Sequence, residues 1–340
     1  MLTIAIATNL RCLTGHGVRH ELTGGGASDI ADCMYSQARN RARDDLVLRF
    51  KQRMTDKVHI GSGDGPVEIP ESEATGTVRE LYDDMKATMN IGMINLVYRR
   101  MATVEGLLEW VWEAVRPALA SGDVERALSS LESEVDWPSV PEIPAPALPL
   151  LGLGTLEIGR LIRVLDDYNR GNSLNLFLFT AFLECFKLGG PWEEASVAAV
   201  EVSSTKPQDL PPIVAMGDMS KETASLVRAL SAPIAPANKP MIPSLFRHLA
   251  RWPGFLALVS PHIIHMIGSG KLSTMSNLIR SRAIGLAPDL GKKIRIPVGL
   301  KTPGETVQAY WLDQWQVYTS KPIPEMIVIG HALRHALVRS

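Results

Sequence analysis

The 340-residue chain has little cysteine, little net charge and no apolar run long enough to cross a bilayer. Its three cysteines form neither an even set nor a metal-type spacing, which is typical of a reducing compartment. A formal charge of -1 provides no basic field for nucleic acid or an anionic membrane. The apolar stretch from Leu174 to Phe186 contains Glu184 and is shorter than the roughly 20 residues that span a membrane. These absences predict a cytoplasmic protein without a nucleic-acid or membrane partner.

Signals for strands, metal sites and phosphate loops are also scarce. Alternating β-branched and aromatic residues between Asn-Gly or Asp-Gly turns are missing. His331 and His335 have i, i+4 spacing but lack the acidic or cysteine partners that a zinc site requires. The glycines of "GGGASD" and "GSGDG" lack the strand-to-helix context of a phosphate-binding loop. We therefore predict no metal and no cofactor.

Helical periodicity is what the sequence does contain. With 46% hydrophobic residues, the chain can bury a substantial core. The segment from Leu174 to Phe186 is apolar on almost every side, which is typical of a buried helix. Amphipathic spacing begins at residue 78, with apolar residues at i, i+3, i+4 and i+7: Val78, Leu81, Tyr82 and Met85. The pattern predicts an all-α fold that follows a flexible, glycine-rich extension over residues 1–70.

One stretch of the sequence occurs twice. "MINLVYRRMATVEGL", which starts at Met93, aligns with "MIPSLFRHLARWPGF", which starts at Met241, at an offset of 148 residues. Apolar stretches on either side align at offsets of 145 and 150 residues. A unit of roughly 120 residues is therefore present twice. We predict two tandem helical repeats, over residues 71–195 and 196–340, packed as a pseudo-twofold dimer with a small-molecule site in the cleft between them.

Three polar residues fall on apolar helix faces: Asn169, Glu184 and Glu325. Burial disfavours a charged carboxylate, so a buried acid has a raised pKa or a firm partner and can act as a general acid or base near neutral pH. Structural roles are the alternative. Asn169 could cross-link helices, either acid could pair with Arg99 or Arg247, and Glu325 could stabilise a helix N-terminus.

Ser244 stands where the first copy has Leu96. The proline before Ser244 favours the first turn of a helix, where free N–H groups favour an anion such as a carboxylate or a halide. A simple helix cap is an equally good explanation. Ser244 is therefore a candidate for binding an anionic substrate.

The stretches "LVYRRMATVEGLLEWVW", "VLDDYNRGNSLNLFLFTAFLE" and "SLFRHLARWPGFL" carry a resemblance to a known family. Over residues 69–337 the chain resembles the group I halocarboxylic acid dehalogenases, the DehI family. The resemblance implies an all-helical pseudo-dimer whose site lies between the halves. It also implies hydrolysis of a small 2-haloacid with inversion, in which an aspartate activates the water that attacks the substrate directly.

Carried over by residue, the resemblance places the family's water-positioning asparagine on Asn169 and its anion-binding serine on Ser244. The catalytic aspartate falls on Leu245, and two aromatic positions of the pocket fall on Met93 and Leu96. Leucine cannot accept a proton, so the family's base is missing from its usual position.

Three functions stay open at this point. The first is a dehalogenase-like hydrolase in which Glu184 or Glu325 replaces the missing aspartate. The second is an enzyme of different chemistry in the same cleft, and the third is a non-catalytic protein that binds a small molecule. Arg247, an arginine in both copies, joins Ser244 as a candidate for binding the carboxylic acid substrate. A homodimer of the whole chain is left open.

Overall fold

The computed structural model describes residues 67–190, 194–195, 210–237 and 241–337. Almost all of the predicted extension over residues 1–70 lies outside the described residues. The described part contains eleven α-helices: α1 (Gly76–Met89), α2 (Leu96–Met101), α3 (Leu107–Ala120), α4 (Asp123–Glu134), α5 (Thr155–Lys187), α6 (Lys221–Ser231), α7 (Ser244–Leu249), α8 (Pro253–Gly268), α9 (Lys271–Gly291), α10 (Glu305–Ser320) and α11 (Pro322–His335). Two two-residue strands, β1 (Glu194–Ala195) and β2 (Ile296–Pro297), pair in parallel. The all-α prediction is confirmed.

The core is centred on α5, the 33-residue helix that contains the predicted apolar run. Every residue of α5 from Ser173 to Leu183 is buried, as expected for a helix without a polar face. The helix packs most extensively on α9 and α11, and it also contacts α10. Among the described residues, none of the helices combines the length and apolarity that a membrane crossing demands.

The helices after residue 220 follow one another in the same order as those before it. Each half has a first helix, α1 or α6, and then a six-residue helix, α2 or α7. The end of the second half differs, because α10 stops at Ser320 and α11 starts at Pro322, whereas α5 is continuous. Proline lacks the backbone N–H and cannot continue a helix without strain. The described residues all belong to one compact unit, and the repeat boundaries at 71–195 and 196–340 stay predictions.

Helices α5 and α11 approach each other closely at Gly330. A Cβ atom there would overlap Oδ1 of Asn169 and would lie 3.2 Å from its Cγ. Asn169 is only 5% exposed, which confirms the sequence prediction that it is buried. The contact with α11 is what buries it. A larger residue at position 330 would require the Asn169 side chain to move.

We expect Gly330→Ala to lower the free energy of unfolding by about 1–3 kcal/mol, since the added methyl group overpacks the contact with Asn169. Urea denaturation followed by circular dichroism measures the change. Gly159→Ala is the matched control, because Gly159 is exposed within α5 and has no neighbour within 4 Å. The control substitution should raise the free energy of unfolding by about 0.5–1 kcal/mol, because alanine loses less conformational freedom in a helix than glycine. Equal effects of the two substitutions would contradict the packing explanation.

Candidate functional site

A small pocket with a cavity volume of about 70 Å³, partly open to solvent, lies where α2, α5, α7, α10 and α11 meet. Its wall combines apolar side chains with hydroxyl and amide groups. No carboxylate of the described residues lines it. The lining residues are Asn95, Leu96, Val97, Tyr168, Asn172, Asn175, Met241, Pro243, Ser244, Leu245, Tyr318, Pro322, Ile323 and Met326.

Equivalent positions of the two halves line this pocket as matched pairs. Residues 95–97, where α2 begins, lie 148 positions before residues 243–245, where α7 begins. Tyr168 of α5 lies 150 positions before Tyr318 of α10. These are offsets of the internal alignment of the sequence. Residues that the internal alignment pairs with one another therefore line the same pocket.

Two asparagines of α5 present their amide groups at this pocket. Tyr98 Oη donates to Asn175 Oδ1 at 2.7 Å, and Asn95 Nδ2 donates to Asn172 Oδ1 at 3.2 Å. Because each of these oxygens already accepts a hydrogen bond, the side-chain nitrogens of Asn172 and Asn175 are the groups best placed to bind a ligand. A ligand that accepts hydrogen bonds suits this wall.

A buried arginine supports Ser244 from behind. Arg99, only 3% exposed, donates from Nη2 to Ser244 Oγ at 3.2 Å. Since the oxygen of Ser244 accepts this bond, its hydroxyl proton is available to an acceptor in the pocket. Arg99 also donates to the backbone carbonyl of Ile94. The pocket thus has a positive charge directly behind its serine.

One carboxylate holds the equivalent arginines of the two halves. Glu68 Oε2 lies 2.7 Å from Arg99 Nε, and its Oε1 lies 3.4 Å from Arg247 Nη1. The sequence alternative, in which these arginines pair with Glu184 or Glu325, is therefore wrong: Glu68 is their partner. Charged groups with little exposure require such pairing, because desolvation of an unpaired charge is costly.

No family model matches the chain. It is 25% identical over 202 residues to a configuration-inverting 2-haloacid dehalogenase of Alcaligenes xylosoxydans xylosoxydans, covering 58% of this chain and 68% of that one. It is 22% identical over 242 residues to an (R)-2-haloacid dehalogenase of Rhizobium sp. (strain NHG3), covering 69% and 92%. The chain is thus similar in sequence to proteins named 2-haloacid dehalogenases.

A third relative is the configuration-inverting 2-haloacid dehalogenase of Pseudomonas sp. (strain 113), which is 28% identical over 120 residues. That match covers 35% of this chain and 39% of the relative. A solved complex of a D-2-haloacid dehalogenase mutant with D-2-CPA superposes with a TM-score of 0.57 at 19% identity, covering 80% of this chain and 96% of the solved one. A likeness at this identity shows the fold.

Three of the residues predicted for the site line the pocket: Ser244, Leu245 and Leu96. Met93 is buried but is not part of the pocket wall. Asn169 faces Gly330 instead, so its buried amide lies at a helix crossing. Arg247 pairs with Glu68 and also lies outside the lining.

Neither predicted acid lines the pocket. The burial expected for Glu184 is not observed, because its side chain is 30% exposed near the end of α5 and lies 3.6 Å from Lys187 Nζ. Glu325 is buried, and this burial raises the pKa of its carboxyl although Lys321 Nζ donates to it at 2.8 Å. Their catalytic roles therefore gain no support from the pocket geometry.

Sequence reasoning missed most of the polar wall. Tyr168, Asn172 and Asn175 have i, i+4 and i+7 spacing, so they share one face of α5. This spacing, together with the second tyrosine 150 residues later at position 318, could have indicated the polar wall from the sequence. Asp167 was also missed: burial raises the pKa of its carboxyl to about 6, and it accepts a hydrogen bond from the Gly92 N–H at 2.5 Å. Asp167 is not part of the pocket wall.

We expect Glu68→Gln to lower the free energy of unfolding by about 3 kcal/mol, because it leaves the nearly buried Arg99 and its neighbour Arg247 without a counter-charge. Chemical denaturation measures the loss. Asp166→Asn is the matched control, since it removes an exposed carboxylate that pairs with Arg334. No measurable change is expected for the control. A Glu68→Gln variant as stable as the parent would show that the arginines need no shared partner.

Proposed function

We propose that this chain is a dehalogenase-like hydrolase that binds a small 2-haloacid in the pocket at Ser244. The carrying observation is the set of hydrogen-bond donors there: the Ser244 hydroxyl and the amides of Asn172 and Asn175, with the Arg99 guanidinium behind the serine. An ionised carboxylate accepts several hydrogen bonds and donates none, so it matches this set. The relatives named 2-haloacid dehalogenases support the same substrate class.

The rest of the wall suits the other end of such a substrate. Leu96, Val97, Leu245 and Met326 offer apolar surface to a halogen and a short alkyl group. Tyr318 accepts a hydrogen bond from Arg100, so its phenolic proton is free to be donated to a leaving halide. The pocket thus offers polar groups to the carboxylate of a 2-haloacid and apolar surface to its halogen and alkyl group.

We also propose that residues 71–195 and 196–340 are tandem repeats that fold as a pseudo-twofold dimer. The matched lining pairs at offsets of 148 and 150 residues support this architecture. So does the common order of the helices in the two halves. A cytoplasmic location and a homodimer of the whole chain stay predictions from the sequence.

A second candidate is a protein that binds a small carboxylic acid without converting it. Leu245 favours this function, because it lines the pocket at the position where the resemblance places the catalytic aspartate. The absence of a carboxylate from the described wall points the same way. Binding requires only the donors, whereas hydrolysis also requires a base.

We expect the purified chain to release chloride from racemic 2-chloropropionate, and Ser244→Ala to raise the KM by about tenfold, the cost of one charge-assisted hydrogen bond. A chloride electrode measures release. Ser225→Ala, an exposed serine of α6, is the matched control and should leave kcat and KM unchanged.

If no halide is released from 2-chloropropionate or its bromo analogue, calorimetric titration with the same acid separates the candidates. Binding that Ser244→Ala weakens would support the non-catalytic protein. Neither release nor binding would contradict both functions.

A further inference from the structure

A tyrosine of the pocket wall and a histidine beside it are both buried, and their polar atoms are poorly satisfied by the described residues. Tyr168, which lines the pocket, and His248 of α7 contact each other edge to face, with ring centroids 5.8 Å apart. Tyr168 is 3% exposed and His248 is 1% exposed. The hydroxyl of Tyr168 has no hydrogen-bond partner among the described residues. The ring nitrogens of His248 make no hydrogen bond of normal geometry there, although the Pro211 carbonyl is close enough to interact with the imidazole. Buried polar groups of this kind are commonly satisfied by an internal water molecule.

The equivalent positions in the other half carry a different chemistry. His248 corresponds to Arg100 at the offset of 148 residues, and Tyr168 corresponds to Tyr318 at the offset of 150. Arg100 donates a hydrogen bond to Tyr318. An arginine remains protonated and cannot accept a proton, whereas a neutral imidazole can. Of these two matched pairs, only the tyrosine-histidine pair provides a base.

His248 is not part of the pocket wall, but it contacts Tyr168, which is. His248 lies three residues after Leu245 and four after Ser244, so all three share one face of α7. Burial lowers the pKa of His248 to about 4, with the Pro211 carbonyl opposing the shift and nearby arginines adding to it. The imidazole is therefore neutral at pH 7, with a basicity close to that of an ordinary aspartate, whose pKa is about 3.9.

We propose that His248 is the general base of the reaction and that it activates a water molecule held between its ring and the hydroxyl of Tyr168. This inference rests on the proposed hydrolase function. The water loses a proton to a ring nitrogen of His248, and its oxygen bonds to C2 of the 2-haloacid. The carbon-halogen bond breaks at the same time, and the halide leaves with the bonding electrons. The products are a 2-hydroxyacid, a halide and an imidazolium, whose proton then passes to solvent.

The Pro211 carbonyl favours the protonated form of His248, which is the form that this step creates. A base oriented by a third group is a common arrangement in hydrolytic sites. The step requires no oxidant, reductant or second substrate. The proposal makes His248 the base, because Leu245 cannot accept a proton and no described carboxylate lines the pocket.

The test measures halide release from 2-chloropropionate by the full chain and by His248→Asn. We expect kcat to fall by about 100-fold or more, the usual contribution of a general base, with KM within threefold and an unchanged circular dichroism spectrum. His265→Asn, which removes an exposed histidine of α8, is the matched control and should keep full activity. The double variant His248→Asn with Leu245→Asp should have a kcat at least tenfold higher than that of His248→Asn, because the aspartate supplies a base inside the pocket.

A His248→Asn variant with kcat within threefold of the parent would overturn the inference and leave the proposed function intact. A folded double variant no faster than His248→Asn would also overturn it, because the histidine would then be structural. If His248→Asn does not fold, Tyr168→Phe decides: a loss of at least tenfold in kcat supports the water site, and a smaller loss refutes it. An intact chain that releases no halide from any 2-haloacid overturns both proposals.

Discussion

The ion pairs of Glu68 with Arg99 and Arg247 are the interaction on which the pocket depends. A guanidinium as deeply buried as that of Arg99 is tolerated only when a counter-charge and good acceptors surround it. Glu68 supplies the charge, and the carbonyl of Ile94 and the hydroxyl of Ser244 accept the remaining hydrogen bonds. The same contacts fix the start of α7 against that of α2. The contacts that keep Arg99 buried thus also hold Ser244 at the pocket wall.

A pocket built from equivalent positions starts with equal chemistry on its two sides, and function requires that the sides differ. Here the difference is concentrated in a few substitutions. Leu96 opposes Ser244, which places the hydroxyl on one side, and Arg100 opposes His248, which places a neutral ring on that same side. Under the proposed function, the serine that binds the substrate and the histidine that accepts a proton therefore both lie after residue 196. The first half keeps a fixed positive charge beside Tyr318.

Periodicity predicted the helical class, and comparison of the two copies singled out Ser244. Leu245 and Leu96 were predicted for the site only by the resemblance to the dehalogenase family, and the structure places all three residues in the pocket wall. The sequence prediction failed for Glu184, since periodicity gives the face of a helix but not whether a neighbour covers its last turns. Asn169 was correctly expected to be buried, but the residue that covers it, Gly330, is distant in sequence. Glu68 precedes the helical pattern and gave no signal. Contacts of this kind depend on how the helices pack.

The interruption between α10 and α11 has a mechanical consequence. Helix α5 is a single rigid rod, so any tilt at Tyr168 is transmitted along its whole length into the core. Across the break at Lys321, Tyr318 and Met326 stand on separate segments that can adjust independently. The two walls of the pocket therefore differ in construction, since a continuous helix forms one and two helices joined at Lys321 contribute to the other.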